Sequence, residues 1–163
     1  MSPYREFREI QRGAASMKRE AASATVEGKK LLVASAQELE KLASGMQRRP
    51  GTSGKTLDKA FARAHHALAR HYYQKATESW VRNETQKAGE DLKTAANHLE
   101  QGLVWVGQEP EAGSAAVINT TRLLAEKLIK GAGWKPAEFE TRIKAAGKEI
   151  EKLSRKIKPA KRS

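Results

Sequence analysis

The chain has 163 residues, no cysteine and a formal net charge of +12, because 31 lysines and arginines outnumber 19 acidic residues. The lack of cysteine excludes disulfides, thiolate metal sites and cysteine nucleophiles. This length supports one domain with a core, and contents of 39% hydrophobic and 6% aromatic residues favour apolar stripes on helices over sheets.

The first predicted element is a long helix over residues 1–47, because small and apolar residues recur there at every third or fourth position. They are Phe7, Ile10, Ala14, Met17, Ala21, Ala24, Gly28, Leu31 and Ser35. A straight helix of this length would measure roughly 65 Å, so we expect it to project or bend, or to break near Gly13 or Gly28. Its small-residue seam lets a partner helix approach closely, which favours self-association or a protein partner.

Residues 56–106 are predicted to form a helical hairpin. Thr56 is a suitable N-cap, and the first helix carries an apolar line through Leu57, Phe61, Ala64, Leu68, Tyr72, Ala76 and Trp80. Asn83 and Gln86 resemble a capping box, which places the turn at residues 82–84. A continuous helix over residues 56–106 is the competing interpretation.

Two more helices are predicted after a loop at residues 107–113. The first begins near Ala115, carries an apolar face from Val117 and ends at Gly131 or Gly133. The second starts at Pro136, which suits a first helical turn. The sequence therefore predicts an all-α protein, an antiparallel helical bundle of four to five helices with a long N-terminal helix. Its core spans residues 56–157, and residues 158–163 form a basic, disordered tail.

The four histidines are the candidates for metal or cofactor chemistry. Two ligands on one helix need a spacing of three or four, and neither His65 nor His66 stands at that distance from His71. His98 would have to join His65 or His71 across the hairpin. We expect structural histidines and no cofactor, with His65, His71 and His98 as weak metal candidates and His66 on the wetter side of its helix.

The charge distribution makes nucleic acid or another polyanion the alternative partner. Residues 84–111 carry two basic and six acidic residues, whereas residues 112–163 carry thirteen basic and five acidic ones. Such a basic surface attracts polyanions. The candidate anion or polyanion contacts are Arg48, Arg49, Lys55, Lys152, Arg155, Lys156, Lys158, Lys161 and Arg162.

Taken together, these patterns favour a non-enzymatic helical interaction or structural protein. No glycine-flanked serine elbow is present, and no strand is predicted on which to build one. The alternatives are nucleic-acid or polyanion binding through the basic surface and a histidine-based metal or cofactor bundle. Apolar runs such as Leu103 to Val106 are far shorter than the roughly 20 residues of a membrane span, so a soluble protein is expected. If Met1 is the native start, the cytoplasm is favoured.

Overall fold

Six α-helices make up the computed structural model over residues 3–48, 54–107 and 111–157, which are the residues that the structure describes. They are α1 (Pro3–Ala21), α2 (Val26–Arg48), α3 (Gly54–Val81), α4 (Thr85–Trp105), α5 (Ala112–Lys130) and α6 (Pro136–Ile157). No strand occurs within those ranges. The all-helical fold class is therefore confirmed, and the packing is compatible with a bundle.

The predicted single N-terminal helix is wrong, which is why six helices are found instead of four to five. The chain folds back after α1, since Leu39 Cδ1 lies 3.7 Å from the position that a Cβ at Gly13 would take. In one straight helix these residues would be about 39 Å apart. The seam residues Ile10, Ala14 and Met17 are buried within the chain.

A local cap explains why the helix breaks at residues 22–25. The Thr25 hydroxyl accepts a hydrogen bond from the Gly28 amide at 3.2 Å, and its carbonyl accepts one from Lys29 at 2.7 Å. These two bonds make Thr25 the N-cap of α2. The predicted break near Gly28 is thus close to the observed one, whereas Gly13 lies inside α1.

The hairpin turn lies where it is predicted, but its chemistry differs. Asn83 has a φ of 62°, and the amide of Glu84 donates to the Ser79 carbonyl at 2.9 Å. Asn83 therefore ends α3 in the left-handed conformation of a Schellman-type turn. The predicted capping box is wrong, because Glu84 is the N-cap residue of α4 and makes no side-chain cap bond.

The ends of α5 and α6 follow the glycine and proline signals. Gly131, with a φ of 79°, caps α5 in the left-handed conformation, and Pro136 is the first residue of α6. A left-handed C-cap favours glycine because it has no Cβ to clash. The start of α5 at Ala112 lies about one turn before the predicted start.

Helix α3 is the common element of three buried clusters. The first joins α1 and α2 to α3 through small residues such as Ala60, Ala64 and Ala67. The other two join α3 to α4, α5 and α6, around Ala69 and around Ala76. Because alanines occupy the closest approaches, the larger side chains Leu68 and Tyr72 are only partly buried.

The described helices include none with both the length and the apolar character that crossing a membrane requires.

Candidate functional site

A groove lies over α3, between α2 and α6. Ion pairs from Arg63 to Glu38 and from Arg70 to Glu27 show that α2 runs antiparallel to α3. Helix α6 is also antiparallel to α3, since Arg63 Nη1 donates to the Ile157 carbonyl at 3.4 Å while Tyr73 lies beside Gly147. The two flanking helices are therefore parallel to each other, and α3 forms the floor between them.

The groove encloses a cavity of about 700 Å³, which falls in the size range of small-molecule sites. Its walls combine a few cationic and hydrogen-bonding groups with apolar surface. The lining residues are Glu27, Lys30, Leu31, His66, Arg70, Tyr73, Gln74, Gly147, Ile150, Glu151 and Ser154.

Arg70 contributes a cation to the lining of the groove. Its Nη2 donates to Glu27 Oε2 at 2.9 Å, and its side chain is 27% exposed, against 80% for that of Glu27. The other terminal nitrogen, Nη1, is buried without a hydrogen-bond partner among the described residues. A buried donor without an acceptor is costly. This nitrogen lies against α2, 3.7 Å from the position that a Cβ at Gly28 would take, so an anion in the groove reaches it when the guanidinium moves.

His66 and Tyr73 supply uncharged polar groups to the same groove. Burial, and then the nearby charge of Arg70, lower the pKa of His66 to about 4, although a hydrogen bond to the backbone of Ile150 opposes the shift. The expectation that His66 lies on the wetter side of α3 is wrong, because its side chain is buried. Burial raises the pKa of Tyr73. Both side chains are therefore neutral at pH 7.

A second polar cluster lies between α3 and α4, where His98 does face His65. Their Nδ1 atoms are 2.9 Å apart, and the ring of Tyr72 stacks on His98 with centroids 5.8 Å apart. Burial lowers the pKa of both histidines, and burial together with the charge of His65 brings that of His98 to about 4. The pair is held as a neutral imidazole hydrogen bond.

His71 is separate from this pair and binds α1 instead. Its Nε2 lies 2.8 Å from Glu20 Oε2, and its side chain is only 1% exposed. Burial would raise the pKa of Glu20, but hydrogen bonds from His71 and Tyr72 and the charge of Lys75 outweigh it and lower the pKa. His71 therefore attaches the C-terminal end of α1 to the central helix.

The histidine arrangement does not favour a metal site. Within residues 3–48, 54–107 and 111–157, no three histidine or acidic side chains are placed to hold a metal ion. The 2.9 Å between the two Nδ1 atoms is also shorter than the roughly 3.3 Å that two nitrogens around a tetrahedral zinc require. The candidates His65, His71 and His98 divide into one imidazole pair and one contact between a histidine and a carboxylate.

Three of the predicted anion contacts have described side chains, and these three lie on α6. Lys152, Arg155 and Lys156 are exposed on α6, with Lys152 3.4 Å from Glu149 and Arg155 3.3 Å from Glu151. Arg49, Lys158, Lys161 and Arg162 lie outside the described residues. Arg48 ends α2 and Lys55 lies in the first turn of α3, but their side chains also lie outside the described part of the chain.

The sequence interpretation missed the groove residues Arg70, Tyr73 and Lys30. One signal was present, because His66, Arg70 and Tyr73 stand at positions i, i+4 and i+7 and so share one face of a helix. No sequence pattern predicted that α2 and α6 would lie on either side of that face.

The chain matches no protein-family model, and comparisons with curated proteins and with solved structures find no significant match.

Proposed function

We propose that this protein is a non-enzymatic helical binding protein, and that the groove between α2 and α6 receives an acidic group. The observation that carries the proposal is that Arg70 lines a groove of about 700 Å³ while its Nη1 has no acceptor among the residues that the structure describes. Lys30 adds a second positive charge to the same cavity. Guanidinium groups bind carboxylates and phosphates through paired N–H donors.

Binding is favoured over catalysis by the protonation state of the groove. With a pKa of about 4, His66 is a weak base at neutral pH, whereas a general base works best with a pKa near the working pH. The groove thus supplies fixed donors and neutral polar walls. These groups orient an acidic ligand.

Titration with 8-anilinonaphthalene-1-sulfonate, a sulfonate with an apolar body, tests the proposal. We expect a saturable rise in fluorescence with the natively folded protein. Arg70→Gln should raise the Kd about tenfold, since hydrogen bonds to charged groups contribute about 1.5–3 kcal/mol. Far-UV circular dichroism and cooperative unfolding establish that each variant is folded.

Arg122→Gln is the matched control for Arg70→Gln. Arg122 is a guanidinium of similar exposure, 28%, and it pairs with Glu100 between α4 and α5. Its substitution should leave the Kd unchanged. Equal losses in the two variants, or no saturable binding to the native protein, would refute the proposal.

Polyanion contact through α6 is a second candidate function. The observation that favours it is the burial of Glu149, whose Oε2 accepts a hydrogen bond from Ser114 of α5 at 2.7 Å. One of the acids that the sequence places among the basic residues of α6 therefore faces the protein interior. Lys152 and Arg155 remain 53% and 68% exposed.

Salt-dependent binding to a fluorescein-labelled single-stranded DNA tests this second candidate. If each of these side chains neutralises one phosphate, the double substitution of Lys152 and Arg155 by glutamine should reduce the slope of log K against log salt by about 1.4, since each contact to a single strand contributes about 0.7. A control with Lys87→Gln and Lys93→Gln removes two exposed lysines from α4 and should leave the slope unchanged. Affinity that does not vary with salt would eliminate polyanion binding.

A further inference from the structure

The ion pair between Arg70 and Glu27 uses only one of the two terminal nitrogens of the guanidinium. Arg70 uses one terminal nitrogen, Nη2, to bind Glu27, while Nη1 has no acceptor within the described part of the chain. Glu27 stands in the first turn of α2, and its carboxylate is mostly in water. Because exposed ion pairs stabilise proteins little, another carboxylate competes with Glu27 at small cost.

Resting on the proposed function, we infer that the groove binds an organic acid with an apolar body, and that its carboxylate replaces the carboxylate of Glu27 on Arg70. A carboxylate that draws the guanidinium toward the groove binds Nη1 and Nη2 together, as in the paired geometry that guanidinium favours. It thereby satisfies the donor that Glu27 leaves unpaired. Glu27 is then a built-in competitor that sets the affinity of the site.

The size and walls of the cavity indicate the apolar body. A volume of about 700 Å³ is many times that of an inorganic anion, which would leave most of the groove to water. Leu31 is 37% exposed at one wall, and Tyr73 and Ile150 line the others. An aliphatic or aromatic body covers this surface and adds hydrophobic stabilisation in proportion to the buried area.

The charged side chains that line the groove favour a ligand with a single negative charge. Arg70 and Lys30 are the two cations of the lining, and Glu151, also in the lining, pairs with Arg155 on its own helix. His66 adds no positive charge because its pKa is about 4. A monocarboxylate matches Arg70 and leaves Lys30 at the rim, whereas a ligand with several charges would face the two acids.

Three probes separate the head group from the body: octanoate, 1-octanol and acetate. Titrations of the full chain are followed by the amide signals of α2, α3 and α6 in ¹⁵N-correlated NMR spectra. We expect octanoate to bind about tenfold more tightly than either of the other probes. Similar affinity for octanoate and 1-octanol would overturn the inference, and so would similar affinity for octanoate and acetate.

Two substitutions should act in opposite directions. Glu27→Gln should lower the Kd for octanoate about threefold, because it removes the competitor, and Arg70→Gln should abolish the preference for octanoate over 1-octanol. Arg122→Gln should change neither value. An unchanged or weaker octanoate affinity in Glu27→Gln would contradict the inference that Glu27 competes with the ligand for Arg70.

The two proposals fail in distinguishable ways. If 8-anilinonaphthalene-1-sulfonate binds in an Arg70-dependent manner but octanoate does not, the organic-acid inference fails and the binding groove stands. If neither probe binds the native protein, both proposals fail.

Discussion

Individual side chains of the same type have different roles in this protein. His71 holds α1 through Glu20, His65 and His98 join α3 to α4, and His66 lines the groove. Their spacing along α3 is not the three or four residues that two metal ligands on one helix need. The partner of each histidine depends on another helix, so it was not readable from the local sequence.

We predict that acid destabilises the protein through His66 and His98. Each has a folded-state pKa of about 4, below the ordinary value near 6.5. The unfolded chain therefore binds more protons between these values, and stability is complete above pH 6.5 and falls as pH drops toward 4. The loss should be on the order of 2 kcal/mol for each histidine. Urea unfolding at pH 7, 6, 5 and 4.5 measures it.

His98→Asn provides the control for this pH dependence. An asparagine amide replaces Nδ1 as the polar partner of His65 and does not titrate. We expect a shallower fall in unfolding free energy between pH 6.5 and 4.5 than in the native protein. If the unfolding free energy of His98→Asn and of the native protein fell equally with pH, His98 would not contribute to the acid response.

At the level of helices, local signals located most of the boundaries, but between α1 and α2 they left a continuous helix and a break near Gly28 both open. Gly131 and Pro136 mark helix ends as predicted. The break between α1 and α2 depends on the cap at Thr25. The apolar stripe, with its three- and four-residue spacing, continues through this loop without interruption. Such a stripe does not reveal the break, because the stripe residues of both helices face the same core after the chain reverses.

Gly89 controls how closely α4 approaches α5. A Cβ there would lie 2.8 Å from the Ala125 carbonyl oxygen and 2.8 Å from Leu128 Cβ. We predict that Gly89→Ala lowers the free energy of unfolding by about 1–3 kcal/mol, because the helices must separate. Chemical denaturation monitored by circular dichroism measures the change.

Gly45→Ala is the matched control within α2. Apart from the local helix backbone, no atom of the described residues lies within 4 Å of a Cβ at Gly45, so the higher helix propensity of alanine should raise the unfolding free energy, by up to about 1 kcal/mol. If both alanine variants shift stability in the same direction, the close contact at Gly89 is not what limits the approach.

For the whole molecule, the sharing of α3 by all three clusters predicts a single cooperative unfolding transition. Leu39→Ala acts in the cluster with α1 and α2, and Leu128→Ala acts in the cluster with α5 and α6. Each should lower the unfolding free energy by about 2–5 kcal/mol. In a Trp105→Phe background, which leaves Trp80 and Trp134 as the remaining tryptophans, circular dichroism and fluorescence should report coincident transitions in both variants.

A separate early transition in Leu39→Ala would contradict this cooperativity. Trp80 and Trp134 pack against the cluster with α5 and α6, so their fluorescence would then persist after part of the helical signal has disappeared.

The sequence by itself determined that this protein is all-helical and where most helices begin and end, because apolar periodicity, glycine and proline act over a few neighbouring residues. Only the tertiary structure decided which face of α3 is buried, that His98 meets His65, and that a groove opens beside Arg70. Arg70 and Glu27 are 43 positions apart, and the groove exists because α2 and α6 both pack on α3 and leave a gap between them. Such an arrangement depends on the packing of whole helices, which local sequence patterns do not encode.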